Sequence, residues 1–175
     1  MKRDMNRKKQ EREMVFVDRS VWVDNKTYTF ELVQKIIEKH EFQMVEISDT
    51  AKRDDILIKA VVWNENGIDI SDLVRISKDF MRTSEEDEIL VKSKISEVLR
   101  LDLSSPGIDR VFKSNKEFEI FKGLDILISL TEILDDKETF VCKNLGIDNG
   151  KLKVNVGDEL IEIDTELIKN VRLAG

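Results

Sequence analysis

The chain has 175 residues, 41% of them apolar and 37% charged, with a formal net charge of −7. That length and apolar content suffice for one core or two small ones and exclude disorder of the whole chain, while the acidic balance excludes a general attraction to nucleic-acid phosphate and favours a basic partner. A single cysteine, Cys142, and a single histidine, His40, exclude an internal disulfide and a zinc site built from these two alone.

Residues 1–12, MKRDMNRKKQER, hold six Lys or Arg against two acids. Two readings stay open for this head: a solvated tail, or a tether for RNA phosphate through Lys2, Arg3, Arg7, Lys8, Lys9 and Arg12. Val15, Val17, Val21, Trp22 and Val23 follow in a pattern that chooses neither strand nor helix, so residues 1–26 read as a basic extension, partly disordered. Phe30, Val33 and Ile37 then recur at helical spacing, which predicts a helix over 30–40 with Thr29 as N-cap.

In QMVEI, Val45 and Ile47 are expected on one face and Met44 and Glu46 on the other. A polar loop, DTAKRDD, leads to a second strand, ILIKAVVW, closed by Asn64-Glu65-Asn66-Gly67, where Gly67 can take a positive φ and shape the turn. Ser71 is the expected cap of a second helix that carries Leu73, Val74, Ile76, Phe80 and Met81 and runs to about Arg82. Glu85 to Glu88 read as a solvated loop before a third strand, with Leu99, Leu101 and Leu103 on one face. The order helix, strand, strand, helix, strand predicts two helices covering one face of a small sheet.

Next stands the only proline of the chain. Ser104-Ser105-Pro106-Gly107 is expected to form a type II turn, with proline fixing one φ and Gly107 supplying a positive one. Asp109 and Arg110 lie just past this corner, where they can pair with each other, tie two domains together or face a partner; the fastening is preferred. Phe118, Phe121 and Gly123 predict a short helical turn in a linker over 114–122. Five short strands follow, LDILISL, TFVCKNLGI, KLKVNV, LIEI and VRL, with tight turns at Asp148-Asn149-Gly150 and Gly157-Asp158. They read as a small barrel. The fold class is therefore α+β: an N-terminal α/β domain over 27–113 and a C-terminal all-β barrel over 123–175.

The usual constellations of catalysis are missing. His40 reads as a helix-end cation or a surface residue, Cys142 as a small barrel residue, and there is no glycine-rich phosphate loop, CxxC or HExxH. No catalytic, cofactor or metal residue is assigned, and a binding protein is expected. No apolar run nears the roughly 20 residues that span a bilayer, and no signal-peptide core follows the charged start. The expectation is a soluble protein of the cytoplasm, monomeric, with no membrane partner.

SSPGIDR, residues 104–110, resembles the SSPGLDR signature of the RimP family of bacterial ribosome maturation factors. NENGIDISDLVRIS upstream, FEIFKG and LIEIDTELIKNVRL downstream are similar to further stretches of that family, in the same order across residues 28–173. The resemblance implies an N-terminal α/β domain joined to an SH3-like (Sm-like) barrel. It also implies a non-enzymatic factor on the immature small (30S) ribosomal subunit that contacts a basic ribosomal protein near the decoding centre. The charges agree: residues 27–123 carry 15 bases and 20 acids, and residues 124–175 carry 6 and 11. Such surfaces are steered toward a cationic protein. The residues this reading selects are Ser104, Ser105, Pro106, Gly107, Asp109 and Arg110 at the domain junction, Gly67 in the neighbouring turn, and Asp148, Asp158 and Glu159 for the ribosomal protein. Val111 stands where the family usually has proline, which predicts a looser linker. The alternative is an RNA-binding translational regulator with KH-like and Sm-like platforms, although the GXXG loop of KH domains is absent.

Overall fold

The computed structural model describes residues 14–134 and 137–175. It contains a three-stranded sheet with helices and, after it, a five-stranded antiparallel sheet curled as a barrel-like unit. The basic cluster of residues 1–12 lies outside the described residues.

Helix α1 spans Arg19–Lys39, with Asp18 at its N-cap position, so it begins eleven residues before the start predicted at residue 30. Residues 19–26, assigned from sequence to the extension, are its first turns. Thr29 is not the N-cap. It is fully buried in mid-helix, and its hydroxyl donates to the Asn25 carbonyl one turn back (2.8 Å), which satisfies the group without solvent. Val17 and Trp22 are core residues, and the Trp22 indole N–H donates to Asp49 Oδ2 (2.8 Å).

Strands β1 (Gln43–Lys52) and β2 (Asp55–Trp63) form an antiparallel hairpin whose turn is only Arg53-Asp54; most of the expected polar loop is strand. The pairing slips between Met44 and Glu46, so Val45 is the extra residue of a β-bulge. Its consequence is a correction. Ile47 packs with Met44 under the helices, whereas Val45 belongs to a separate cluster on the opposite face. Along β2, Ile56, Ile58, Ala60 and Val62 are buried under the helices, and Val61 and Trp63 face the other way.

Helix α2 (Ile70–Glu86) is capped by Asp69 rather than Ser71, in a reciprocal box: the Asp72 N–H donates to Asp69 Oδ1 (2.9 Å) and the Asp69 N–H to Asp72 Oδ2 (3.1 Å). The stretch Glu85 to Glu88 is not a loop. Glu85 and Glu86 close α2, Asp87 caps α3 (Glu88–Lys92) through the N–H groups of Ile89 and Leu90, and α4 (Ile95–Val98) follows. These short helices bury Leu90, Ile95 and Val98 and deliver the chain to β3 (Leu99–Ser104), which pairs parallel to β2. Leu99, Leu101 and Leu103 turn toward the helices, as the alternation predicts.

The second unit opens with α5 (Lys116–Ile120) and continues with β4 (Asp125–Leu134), β5 (Lys137–Asp148), β6 (Lys151–Val156), β7 (Glu159–Asp164), a 3-10 turn (Thr165–Leu167) and β8 (Ile168–Leu173), in sheet order β7-β6-β5-β4-β8. Ile126, Ile128, Leu130, Leu152 and Val154 fill its core. Cys142 is buried there, and desolvation, helped by the Asp125 charge, pushes its thiol up to about 12, so no thiolate forms at neutral pH. Asn144 is fully buried; its amide N–H groups donate to the carbonyls of Phe118 (2.7 Å) and Phe121 (2.9 Å), tying the end of α5 to β5. Among the described residues no helix is long and apolar enough to cross a membrane.

Candidate functional site

The two sheets meet at one end of the first, where β2 and β3 finish and β1 begins. The contact has an apolar part and an ionic part. Val45, Ile120 and Phe121 are buried together, with Val61, Trp63, Phe112 and Leu173 packed against them. The Trp63 ring meets Phe121 edge-on at 5.5 Å, and Phe112 lies 5.3 Å from Phe121. An aromatic of this size, fully buried as Phe121 is, stabilises its surroundings by about 1.5–3 kcal/mol through area alone.

Arg110 forms the ionic part. Its Nε donates to Glu117 Oε2 (2.7 Å), and its Nη2 donates to Glu117 Oε1 (3.1 Å) and to Glu46 Oε2 (3.0 Å). The guanidinium is 8% exposed and the Glu117 carboxylate 1%. Glu117 Oε1 also accepts the Lys113 N–H (3.0 Å), and the Lys113 ammonium donates to Glu46 Oε1 (2.7 Å). One side chain thus joins β1, through Glu46, to α5, through Glu117, with a fork geometry that only arginine supplies. The bulge at Val45 matters here, because it turns Val45 and Glu46 together toward the junction. The Lys113 ammonium, together with Arg110, holds the Glu46 carboxyl below its usual range against the opposing effect of burial. Glu117 raises the affinity of the Arg110 guanidinium for its proton.

The corner preceding Arg110 differs from the one predicted. Gly107 does not adopt a positive φ, so the Pro106-Gly107 turn is not type II. The turn lies two residues later, where the Arg110 N–H donates to the Gly107 carbonyl (3.1 Å) around Ile108-Asp109. Ser104, Ser105, Gly107 and Asp109 are exposed and Pro106 is half-buried. Of the motif, Arg110 alone supplies side-chain bonds across the junction. The linker is not loose at Val111, which bridges Arg172 of β8. The flanking bonds run from the Phe112 N–H to the Val171 carbonyl (2.8 Å) and from the Leu173 N–H to the Arg110 carbonyl (2.9 Å). Gly67 has φ +88° and donates its N–H to the Asn64 carbonyl (3.0 Å), at the same end of the sheet.

The acidic residues selected on the barrel are not brought together. Asp148 ends β5 and pairs with Lys153 (2.8 Å), while Asp158 and Glu159 sit exposed at the β6–β7 turn. The six residues of β6 separate the two turns by about 16 Å at 3.3 Å per residue. Among the described residues, no group of three or more His, Cys, Asp or Glu side chains converges as a metal site requires.

Sequence reasoning passed over Glu46, Lys113 and Glu117. A signal for Glu117 exists: it stands three and four residues before Ile120 and Phe121, on the apolar face of α5, whereas Glu119 is on another. An acid on an apolar face calls for a buried cation. Residues 32–109, from within α1 to the residue before Arg110, match the family model of the RimP N-terminal domain.

Proposed function

Carrying that N-terminal domain, the chain belongs to the RimP family of ribosome maturation factors, and we propose that it acts in assembly of the small (30S) ribosomal subunit as a binding factor with no covalent step. Two units, one running from α1 to β3 and the other from α5 to β8, are held at a fixed angle and grip an immature particle in the cytoplasm. The observation that carries this reading is the junction. A buried Arg110 bound to carboxylates of both units, beside an aromatic cluster shared by them, is a device for fixing orientation rather than for chemistry.

The acidic turns of the barrel, Asp158 and Glu159 at one end and Asp148 at the other, contact a basic ribosomal protein near the decoding centre. Negative potential over both units speeds that encounter and disfavours naked RNA elsewhere. Residues 104–110 fix the junction first and border the partner second, since Ser104, Ser105, Ile108 and Asp109 are exposed beside it. The six cations of residues 1–12 tether rRNA, and the factor works as a monomer.

Sedimentation of cell extracts on a sucrose gradient tests the proposal. Co-migration with free small subunits and absence from translating ribosomes is the expected result. A broad spread that collapses on RNase treatment would instead favour the translational regulator, and a protein that stays at the top of the gradient would refute both.

A further inference from the structure

The outer side of α2 carries a cluster of cations that the junction does not use. Arg75, Lys78 and Arg82 recur at i, i+3 and i+7, one face of the helix. The end of α1 places Lys39 beside them, and the side chains surround a shallow depression of about 440 Å³. His40 and Asp79 lie within it. Asp79 accepts from Lys39 (2.8 Å), from Arg82 (2.8 Å) and lies 3.0 Å from His40 Nε2. The acid is recessed, 9% exposed, while Lys39 is 63% and Arg82 67% exposed. Arg75 spends one nitrogen on Asp72 (2.9 Å), and Lys78 is exposed with no ion pair among the described residues. The surface therefore presents positive charge over neutralised acids, in a molecule whose sum is −7.

We infer that this α1–α2 face binds the phosphate backbone of RNA, with Lys39, Arg75, Lys78 and Arg82 as the contacting cations. The depression holds polar and charged side chains, so its ligand brings charge rather than apolar area. Its cations come from two helices, which lays the ligand across α1 and α2 instead of along the exposed apolar strip of Ile70, Val74 and Met81. Arg75 to Arg82 spans about 10 Å of helix at 1.5 Å per residue, long enough to meet successive phosphates of one strand. Guanidinium forks suit such oxygens. That the RNA is ribosomal rests on the function proposed above; the phosphate chemistry does not.

The test is fluorescence anisotropy of a labelled oligouridine against the full chain over a series of salt concentrations. Each single-strand phosphate contact contributes a slope of about −0.7 in log K against log salt, so Arg75→Gln with Lys78→Gln should flatten it by about 1.4 and Lys78→Gln alone by about 0.7. Neither residue touches Asp79, and the Arg75–Asp72 pair that is lost is a surface i, i+3 contact, so the thermal midpoint stays close to that of the wild type. A control pair on exposed barrel lysines, Lys151→Gln with Lys169→Gln, should leave the slope unchanged. An unchanged slope in the α2 variants, or equal flattening in the control, overturns the inference. So does an oligoglutamate peptide that binds with this dependence while oligouridine does not, which would mark the face as a protein site. Gradient sedimentation separates the two claims: wild-type chain that never meets the small subunit defeats the functional reading and leaves a flattened oligouridine slope standing. Normal subunit binding alongside an unflattened slope defeats only this inference.

Discussion

Arg100 and Arg110 each grip a carboxylate with two guanidinium nitrogens, one at either end of the three-stranded sheet. Arg100 holds Asp55 at the end away from the junction, with side chains 62% and 35% exposed; Arg110 holds Glu117 in the junction, where both are almost sealed from water. The chemistry is the same and the surroundings are not. In solvent, each partner of a broken pair recovers its hydration and salt screens what remains. In the junction, a bereaved charge has no water to fall back on, and the cost of losing its partner far exceeds the net worth of the pair. An ion pair is therefore a poor measure of stability until its burial is known, and here burial assigns the structural burden to one arginine.

Arg110→Ala makes the largest break in this comparison. Glu117 is left buried and unpaired, and urea unfolding should show a loss of about 3–5 kcal/mol, with small-angle scattering reporting a wider spread of orientations between the two units. Glu46→Gln comes next. It keeps the Arg110–Glu117 pair and removes the charge that Arg110 and Lys113 share, for a loss of about 1–2 kcal/mol, reduced from a fully buried charged hydrogen bond because Glu46 is partly solvated.

Acid sharpens the contrast without a mutation. Glu46 titrates below its ordinary 4.5 in the folded chain, and Asp79 falls from 3.8 to about 2, held chiefly by Lys39 with help from His40 and Arg82. Both are depressed, so the stability they contribute is whole above the unfolded values and disappears as the pH drops, from about 4.5 downward for Glu46 and between about 3.8 and 2 for Asp79. Unfolding midpoints followed from pH 6 to pH 2, run beside Glu46→Gln, should show a shallower acid limb in the variant. The smallest effects belong to Arg100→Ala and Gly107→Ala, whose unfolding midpoints should match the wild type. The first pair is exposed, and Gly107 has neither a positive φ nor any atom within 4 Å of where a Cβ would stand.

Much of this fold can be read from periodicity. The alternation of β2 and β3, the spacing of α2 and the asparagine-glycine turn at residues 149 and 150 each follow from a local rule. The early turns of α1 escape because Val21, Val23, Thr27 and Thr29 are β-branched and pattern poorly as helix; Trp22 and Thr29 pay off only when buried against the sheet. The bulge at Val45 escapes for another reason. Alternation predicts a face for every residue and has no means of marking one that the partner strand leaves unmatched. The site is legible in half. The corner motif points to Arg110, but its carboxylates lie 64 and 7 residues away, and Glu46 reads as the solvent side of a strand until the bulge and the second unit are in place. Gly107 misleads because the proline before it suggests a turn two positions early.

Residues 110–112 are clasped by β8, sixty positions further along, through the Val171 carbonyl and the Leu173 N–H. The fastening of the first unit is therefore written into the closing strand of the second. A chain synthesised only as far as β7 already contains Arg110, Glu46 and Glu117, yet lacks the rail that aligns them. Until β8 is laid down, the backbone bonds from Val171 and Leu173 to residues 110–112 have no donor or acceptor to form with, so the junction gains its last backbone ties only with the end of the chain.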